Sequence, residues 1–215
     1  MDSAVLPIFV RMATHLVDTP HGPARAHVRD LEGAARAALV LGHGAGGGVA
    51  APDLLAAARA AESAQVRVVL VEQPYRVAGR RSPAPAAQLD AAWLAVIERL
   101  REAELAGLPL VAGGRSSGAR VACRTAAASG AAGVLCLAFP LVAPRRSGDA
   151  PSRIGELAAV QVPVLVVQGE SDRFGMPPEA PGREVVRVRG DHGLKGDLPA
   201  VEAAVGSWIS SFARA

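Results

Sequence analysis

Five continuous apolar runs punctuate the chain, at residues 37–41, 66–71, 108–112, 133–137 and 162–167. Runs that are apolar on both faces suit strands of a parallel sheet covered by helices on either side. Between them the hydrophobic period changes to that of a helix. Residues 52–63 are Ala-rich and open on Pro52, a residue suited to a first helical turn. Residues 86–106 put Leu89, Trp93, Val96, Ile97 and Leu100 on one stripe. A third helix is predicted over 117–129, ended by Gly130, and a fourth over 197–213, carrying Val201, Val205, Trp208, Ile209 and Phe212. Upstream, residues 12–30 alternate apolar and polar around Pro20-His21-Gly22-Pro23, the pattern of a β-hairpin. Residues 184–189 alternate more strictly than the central runs and predict a strand near a sheet edge. The order predicts an α/β fold: a doubly wound, mostly parallel sheet preceded by an antiparallel hairpin, forming a single domain over residues 1–215.

Composition narrows the class. The chain has 215 residues, and half of them are apolar, enough to bury a core. Alanine supplies 45 of them and only 3% of the chain is aromatic, so the core must be built mainly from small side chains. Disordered, collagenous and coiled-coil chains are excluded. The longest apolar stretch, residues 131–144, is shorter than the roughly 20 residues of a bilayer-spanning helix. The N-terminus lacks the basic start and cleavage site of a secretory signal. The net charge is +3, and 22 of the 23 basic residues are Arg, scattered apart from the doublets Arg80-Arg81 and Arg145-Arg146. Nucleic-acid binding needs such charge gathered on one face. Cys123 and Cys136 both sit inside apolar runs, as buried small hydrophobes do, rather than in a disulfide framework or a metal site. A cytoplasmic protein with no nucleic-acid or membrane partner, no metal and no cofactor is expected.

In an open α/β sheet, ligand sites form beyond the carboxyl ends of the strands. The central run is followed by Gly113-Gly114-Arg115-Ser116-Ser117-Gly118 and then a helix. This Gly114-x-Ser116-x-Gly118 pattern is that of a sharp turn presenting a serine hydroxyl, with glycines where a side chain would clash across the turn. The following helix points its positive end at the site. A plain Gly-rich turn capping a helix is the simpler alternative. The first run leads into Gly42-His43-Gly44-Ala45-Gly46-Gly47-Gly48. Such a loop can supply one of two backbone donors to an oxyanion, from Ala45 or Gly46, the other coming from Ser117. Gly42-x-Gly44-x-x-Gly47 also matches a dinucleotide fingerprint as a string, whereas the phosphate-loop pattern is absent. His43 reads as a packing or hydrogen-bonding residue. Beyond the fifth run lies Gly169-Glu170-Ser171-Asp172, and beyond the last strand Gly190-Asp191-His192-Gly193. A serine becomes nucleophilic when a base takes its proton and a carboxylate orients that base. Ser116, Asp172 and His192 stand in the chain order this fold requires, with Glu170 as the rival carboxylate. Asp191 is poorly placed beside His192, and His15, His21 and His27 read as surface residues.

On these segments the chain resembles the α/β-hydrolase superfamily over nearly its whole length. Glu72-Gln73-Pro74-Tyr75-Arg76, Ala138-Phe139-Pro140-Leu141 and Gly169-Glu170-Ser171-Asp172-Arg173-Phe174-Gly175 are similar to a small lidless branch near the dienelactone-hydrolase-like enzymes. That branch includes the testis-expressed and NSL-complex hydrolase-like domains. The resemblance implies a serine hydrolase of an accessible ester or thioester, a small-molecule acyl substrate. Dienelactone hydrolases proper carry Cys where this chain has Ser116, so their substrate is not implied. The alternative is a hydrolase-fold binding protein with little turnover. Between 137 and 162, where larger members insert a lid, only about two dozen residues stand, with a short helix predicted around 154–159. Tyr75, Arg76, Arg115, Phe139, Leu141 and Phe174 follow strands at the site end of the sheet and are the candidate substrate contacts. Arg115 and Arg76 can attract an acidic group or pair with a neighbouring acid.

Overall fold

Continuous apolar runs cannot sit at a surface, and the chain buries them in the middle of a sheet. A computed structural model describes residues 12–143 and 151–214. Strand β3 (Ala37–Gly42) is buried at all six positions, as are β7 (Val164–Gly169) and the five residues of β6 (Gly133–Leu137). β4 (Val66–Glu72) and β5 (Leu110–Arg115) complete this central group. The flanking strands are less apolar. They are β1 (Met12–Val17) and β2 (Ala24–Arg29), which form the hairpin, and β8 (Arg183–Val188). Among the described residues the sheet has eight strands, in the order β1-β2-β4-β3-β5-β6-β7-β8. β1 pairs antiparallel with β2, and β2 with β4; all other pairs are parallel. The strand with strict alternation, β8, is indeed at an edge, and the hairpin adds the antiparallel margin opposite.

Alternation along each strand feeds two cores. From β3, Ala38 and Val40 face one side and Leu39 and Leu41 the other. On the first side lie α3 (Ala86–Arg101), α4 (Ser117–Thr125) and the short α5 (Ile154–Ala158). The predicted stripe of α3, from Leu89 to Leu100, is buried there. The other side holds α1 (Pro52–Ser63) and α6 (Leu198–Ile209). Here the alanine surplus acquires a reason. Ala56, Ala57, Ala58 and Ala61 are fully buried, so α1 lies close both to the sheet and to α6. A Cβ on Gly206 of α6 would stand 3.8 Å from that of Ala60. Cys123 and Cys136 are buried and free, with their sulfurs 3.5 Å apart in the first core. The Cys136 thiol is pushed up by its hydrogen bond with Cys123 and by burial, so it stays protonated.

Several boundaries differ from expectation. α3 stops at Arg101 rather than at residue 106, passing through turns to Gly107, whose φ is +72°. α4 stops at Thr125, whose hydroxyl donates to the carbonyl of Val121 one turn back. A four-residue helix, α2 (Pro74–Val77), occupies part of the Pro- and Arg-rich segment after β4 that reads as loop. β5 runs on to Arg115, because Gly113 and Gly114 continue its pairing with β3 and β6. Arg145 and Arg146 lie outside the described residues. No described helix is long and apolar enough to cross a membrane.

Among the described residues Trp93 is the largest fully buried side chain, and its indole N–H finds no partner there. Trp93→Ala should lower the unfolding free energy by about 3–5 kcal/mol, read from urea denaturation. Trp93→Phe should lose clearly less, because the unsatisfied N–H leaves with the indole.

Candidate active site

β5 ends in the turn that carries Ser116. Its backbone lies at φ 52°, ψ −106°, a conformation strained for a side-chain-bearing residue. The turn survives because its neighbours are small. A Cβ on Gly114 would stand 2.5 Å from the Gly42 carbonyl oxygen, and one on Gly118 would run into the same oxygen. The Ser116 N–H donates to the Leu137 carbonyl at 2.9 Å, tying the turn to the end of β6. Ser116 remains partly exposed, within reach of a molecule arriving from solvent.

The loops after β7 and β8 bring the other two residues to it. His192 Nε2 lies 2.9 Å from Ser116 Oγ, and Nδ1 lies 2.8 Å from Asp172 Oδ2. A carboxylate only accepts, so Nδ1 carries the proton and Nε2 is free to accept from the serine hydroxyl. The Asp172 side chain is completely buried. Its Oδ1 accepts the Phe174 N–H at 2.9 Å, and its Oδ2 accepts a second donor, Gln168 Nε2, at 2.8 Å. The two loops are joined directly, since the Ser171 N–H donates to the Gly190 carbonyl at 3.0 Å. Glu170 is exposed, and Asp191 uses Oδ1 on the Gly193 N–H at 2.8 Å. Neither rival bonds the imidazole.

The Gly-rich loop after β3 is held from below. His43 is buried and bonds the Gly44 carbonyl through Nδ1 at 2.8 Å, while Nε2 accepts the Gln73 N–H at 3.1 Å. The Tyr75 hydroxyl donates to the Ala45 carbonyl at 2.9 Å. In a trans peptide the N–H points opposite to the C=O. Fixing these two carbonyls therefore fixes the directions of the Ala45 and Gly46 N–H groups. The Ser117 N–H opens α4 and, like any first helical amide, has no carbonyl one turn earlier. Burial lowers the pKa of His43, so it stays neutral, as its acceptor nitrogen requires.

The structure sorts the expected substrate contacts. Leu141 and Phe174 stand partly exposed, and the Phe174 ring meets the His192 imidazole edge-on with centroids 4.5 Å apart. Arg76 is also partly exposed. Phe139 is fully buried and belongs to the core, a correction to the pocket role expected of it. Tyr75 is likewise buried, and its hydroxyl serves the Gly-rich loop. Arg115 Nε lies 2.9 Å from buried Asp53, and its Nη2 donates to the His192 carbonyl at 2.9 Å. Sequence reasoning gave no role to Asp53 or Gln168. A polar side chain directly after an apolar run, as at Gln168, was the available signal. Asp53, in an ordinary helix first turn, offered none. Among the described residues no cluster suits a metal ion.

Similarity to known proteins follows this architecture. A lidless α/β serine hydrolase from Xanthomonas campestris superposes with a TM-score of 0.70 at 24% identity, over 92% of this chain and 95% of that one. Est1E from Butyrivibrio proteoclasticus gives 0.72 at 14% identity, over 94% and 99% of the two chains. A dienelactone hydrolase from Anabaena variabilis gives 0.69 at 16%, over 94% and 96%. At such identities the likeness is one of fold. No curated protein matches the sequence. The family model described as an alpha/beta hydrolase domain matches residues 35–195, a span that holds Ser116, Asp172 and His192. The chain belongs to the α/β-hydrolase family.

Proposed function

We propose that the protein is a serine hydrolase that cleaves an accessible carboxylic ester or thioester through an acyl-enzyme, with Ser116, His192 and Asp172 as its triad. The observation that carries this reading is the unbroken chain of hydrogen bonds from Ser116 Oγ through the imidazole to Asp172, 2.9 and 2.8 Å long. His192 Nε2 takes the hydroxyl proton as Oγ attacks the acyl carbon, then delivers it to the leaving alcohol or thiol. Asp172 keeps the proton on Nδ1 and stabilises the imidazolium. Two further donors, Gln168 Nε2 and the Phe174 N–H, hold its carboxylate in place. The N–H groups of Ser117 and of Ala45 or Gly46 receive the oxyanion. Water, activated by the same imidazole, releases the acid. The neighbours described above include a serine hydrolase and a dienelactone hydrolase, in keeping with hydrolytic chemistry.

Ser116→Ala should abolish labelling by a fluorophosphonate probe and lower esterase turnover by several orders of magnitude, because triad members act as a unit. Asp172→Asn should lower kcat by about 10⁴-fold by presenting the wrong tautomer. Labelling that persists in Ser116→Ala removes the serine from the mechanism.

His43 adds a pH dependence to stability. Its folded pKa lies below the ordinary 6.5, whereas the unfolded chain binds a proton near 6.5. Stability is therefore complete above that pH and is lost as pH falls from 6.5 to the lower folded value, by up to about 1.4 kcal/mol per pH unit. His27, also lowered by burial, acts in the same direction. Urea unfolding between about pH 7.5 and 5.5 should show a smaller loss in His43→Gln than in wild type.

A further inference from the structure

The triad chemistry has no need of Asp53, yet this residue is among the most completely buried charged groups of the chain. It stands in the first turn of α1. Its carboxylate lies 2.9 Å from Arg115 Nε, but neither oxygen accepts an aligned side-chain hydrogen bond. Burial raises its pKa, and Arg115 opposes the rise. A buried ion pair of this kind is weak evidence of stabilisation, since apolar residues of the same volume do as well or better. Its placement is what distinguishes it. Arg115 immediately precedes Ser116, and its Nη2–H reaches across to the His192 carbonyl at 2.9 Å. Its Nη1 lies so near the Gly-rich loop that a Cβ on residue 44 would stand 2.8 Å away. Among the described residues, this is the only side-chain hydrogen bond to the His192 backbone.

We propose that Arg115, aimed by buried Asp53, is a positioning residue that fixes the main chain of His192 against the nucleophile turn. This rests on the reading of Ser116 and His192 given above. An arginine side chain free in solvent samples many rotamers, and an ion pair on one edge of its planar fork restricts the directions in which its other donors point. Asp53 holds the Nε edge, and Nη2 is then left pointing at the histidine carbonyl. The local bonds of the His192 loop, from the Leu194 N–H to the Asp191 carbonyl and from the Gly193 N–H to Asp191 Oδ1, shape the loop without tying it to β5. Arg115 supplies that tie. The same pairing means that its charge is already answered within the protein rather than held out to an acidic substrate.

The test compares Asp53→Asn, Arg115→Met and Arg115→Lys with wild type in the full chain. It measures kcat and KM on a small uncharged ester and the proton NMR signal of the His192 Nδ1–H, with urea midpoints to establish folding. In Asp53→Asn and Arg115→Met, kcat should fall about 10- to 100-fold with KM within about twofold, the signature of misplaced reacting groups. The Nδ1–H signal should shift or broaden. Arg115→Lys, which keeps a single donor nitrogen but loses the fork, should recover part of kcat. Folded variants with wild-type kcat and an unmoved signal overturn the proposal, as does a loss confined to KM. The signal separates this failure from that of the enzymatic reading, because it reports the imidazole whether or not Ser116 turns over an ester. Should Arg115→Met not fold, the near-isosteric Asp53→Asn carries the same comparison.

Discussion

The backbone of Gly118 lies so close to the Gly42 carbonyl that no side chain fits between them. This contact sets how far under β3 the helix α4 can begin, and most of the site follows from it. Were α4 further away, the turn at Ser116 would relax from its left-handed φ. Its N–H would leave the Leu137 carbonyl, and Ser116 would move away from Gly44 of the loop after β3. Gly114, pressed against the same carbonyl from the strand side, closes the other half of the constraint. The strain is not confined to one residue. Ala138 and Leu194 also hold positive φ, at 49° and 50°, just beyond β6 and within the loop of His192. Three of the four such non-glycine residues described thus lie where the carboxyl ends of strands converge, as expected of a site held open by its surroundings.

Two layers of polar contacts convert that geometry into a chemical arrangement. The inner layer is the line from Ser116 to Asp172. The outer layer holds mainly backbone. Gln168 Nε2 approaches the Phe139 and Gly175 carbonyls at 3.1 and 2.9 Å as well as Asp172. Tyr75 and His43 fix two carbonyls of the Gly-rich loop. Each is buried, so water does not compete for these bonds, and each would leave unsatisfied groups behind if replaced by an apolar residue.

The order and kind of nearly all the elements were legible in the sequence, because strands apolar on both faces and helices with one stripe obey different periods. Their ends were not. The stops of α3 and α4 depend on tertiary turns that follow them, not on a breaker inside the predicted span. The meeting of Ser116, Asp172 and His192 was legible for a topological reason: each follows a strand, and parallel strands deliver their ends to one rim. The outer layer was obscure because its residue types are ordinary. Phe139 and Tyr75 look like pocket aromatics in a chain with few of them, and only the packing shows that one fills the core and the other turns its hydroxyl to a backbone carbonyl.

Arginine illustrates the same point at the scale of the whole molecule. A surplus of Arg and a net charge of +3 suggest a cationic surface, yet several of these side chains act as internal struts. Arg124 grips Asp90 of α3 with bonds of 2.8 and 2.6 Å, and Arg120 grips Glu156 of α5 at 2.9 Å. Arg29 joins β2 to Glu62 of α1. Arg120 and Arg124 thus tie the helix behind Ser116 to α5 and α3 by planar, two-sided contacts that a lysine cannot reproduce, and Arg115 adds a single ion-pair contact to Asp53 of α1. In a core made largely of alanine and valine, with few aromatic rings to lock helices in place, such struts supply the rigidity that a preorganised site requires.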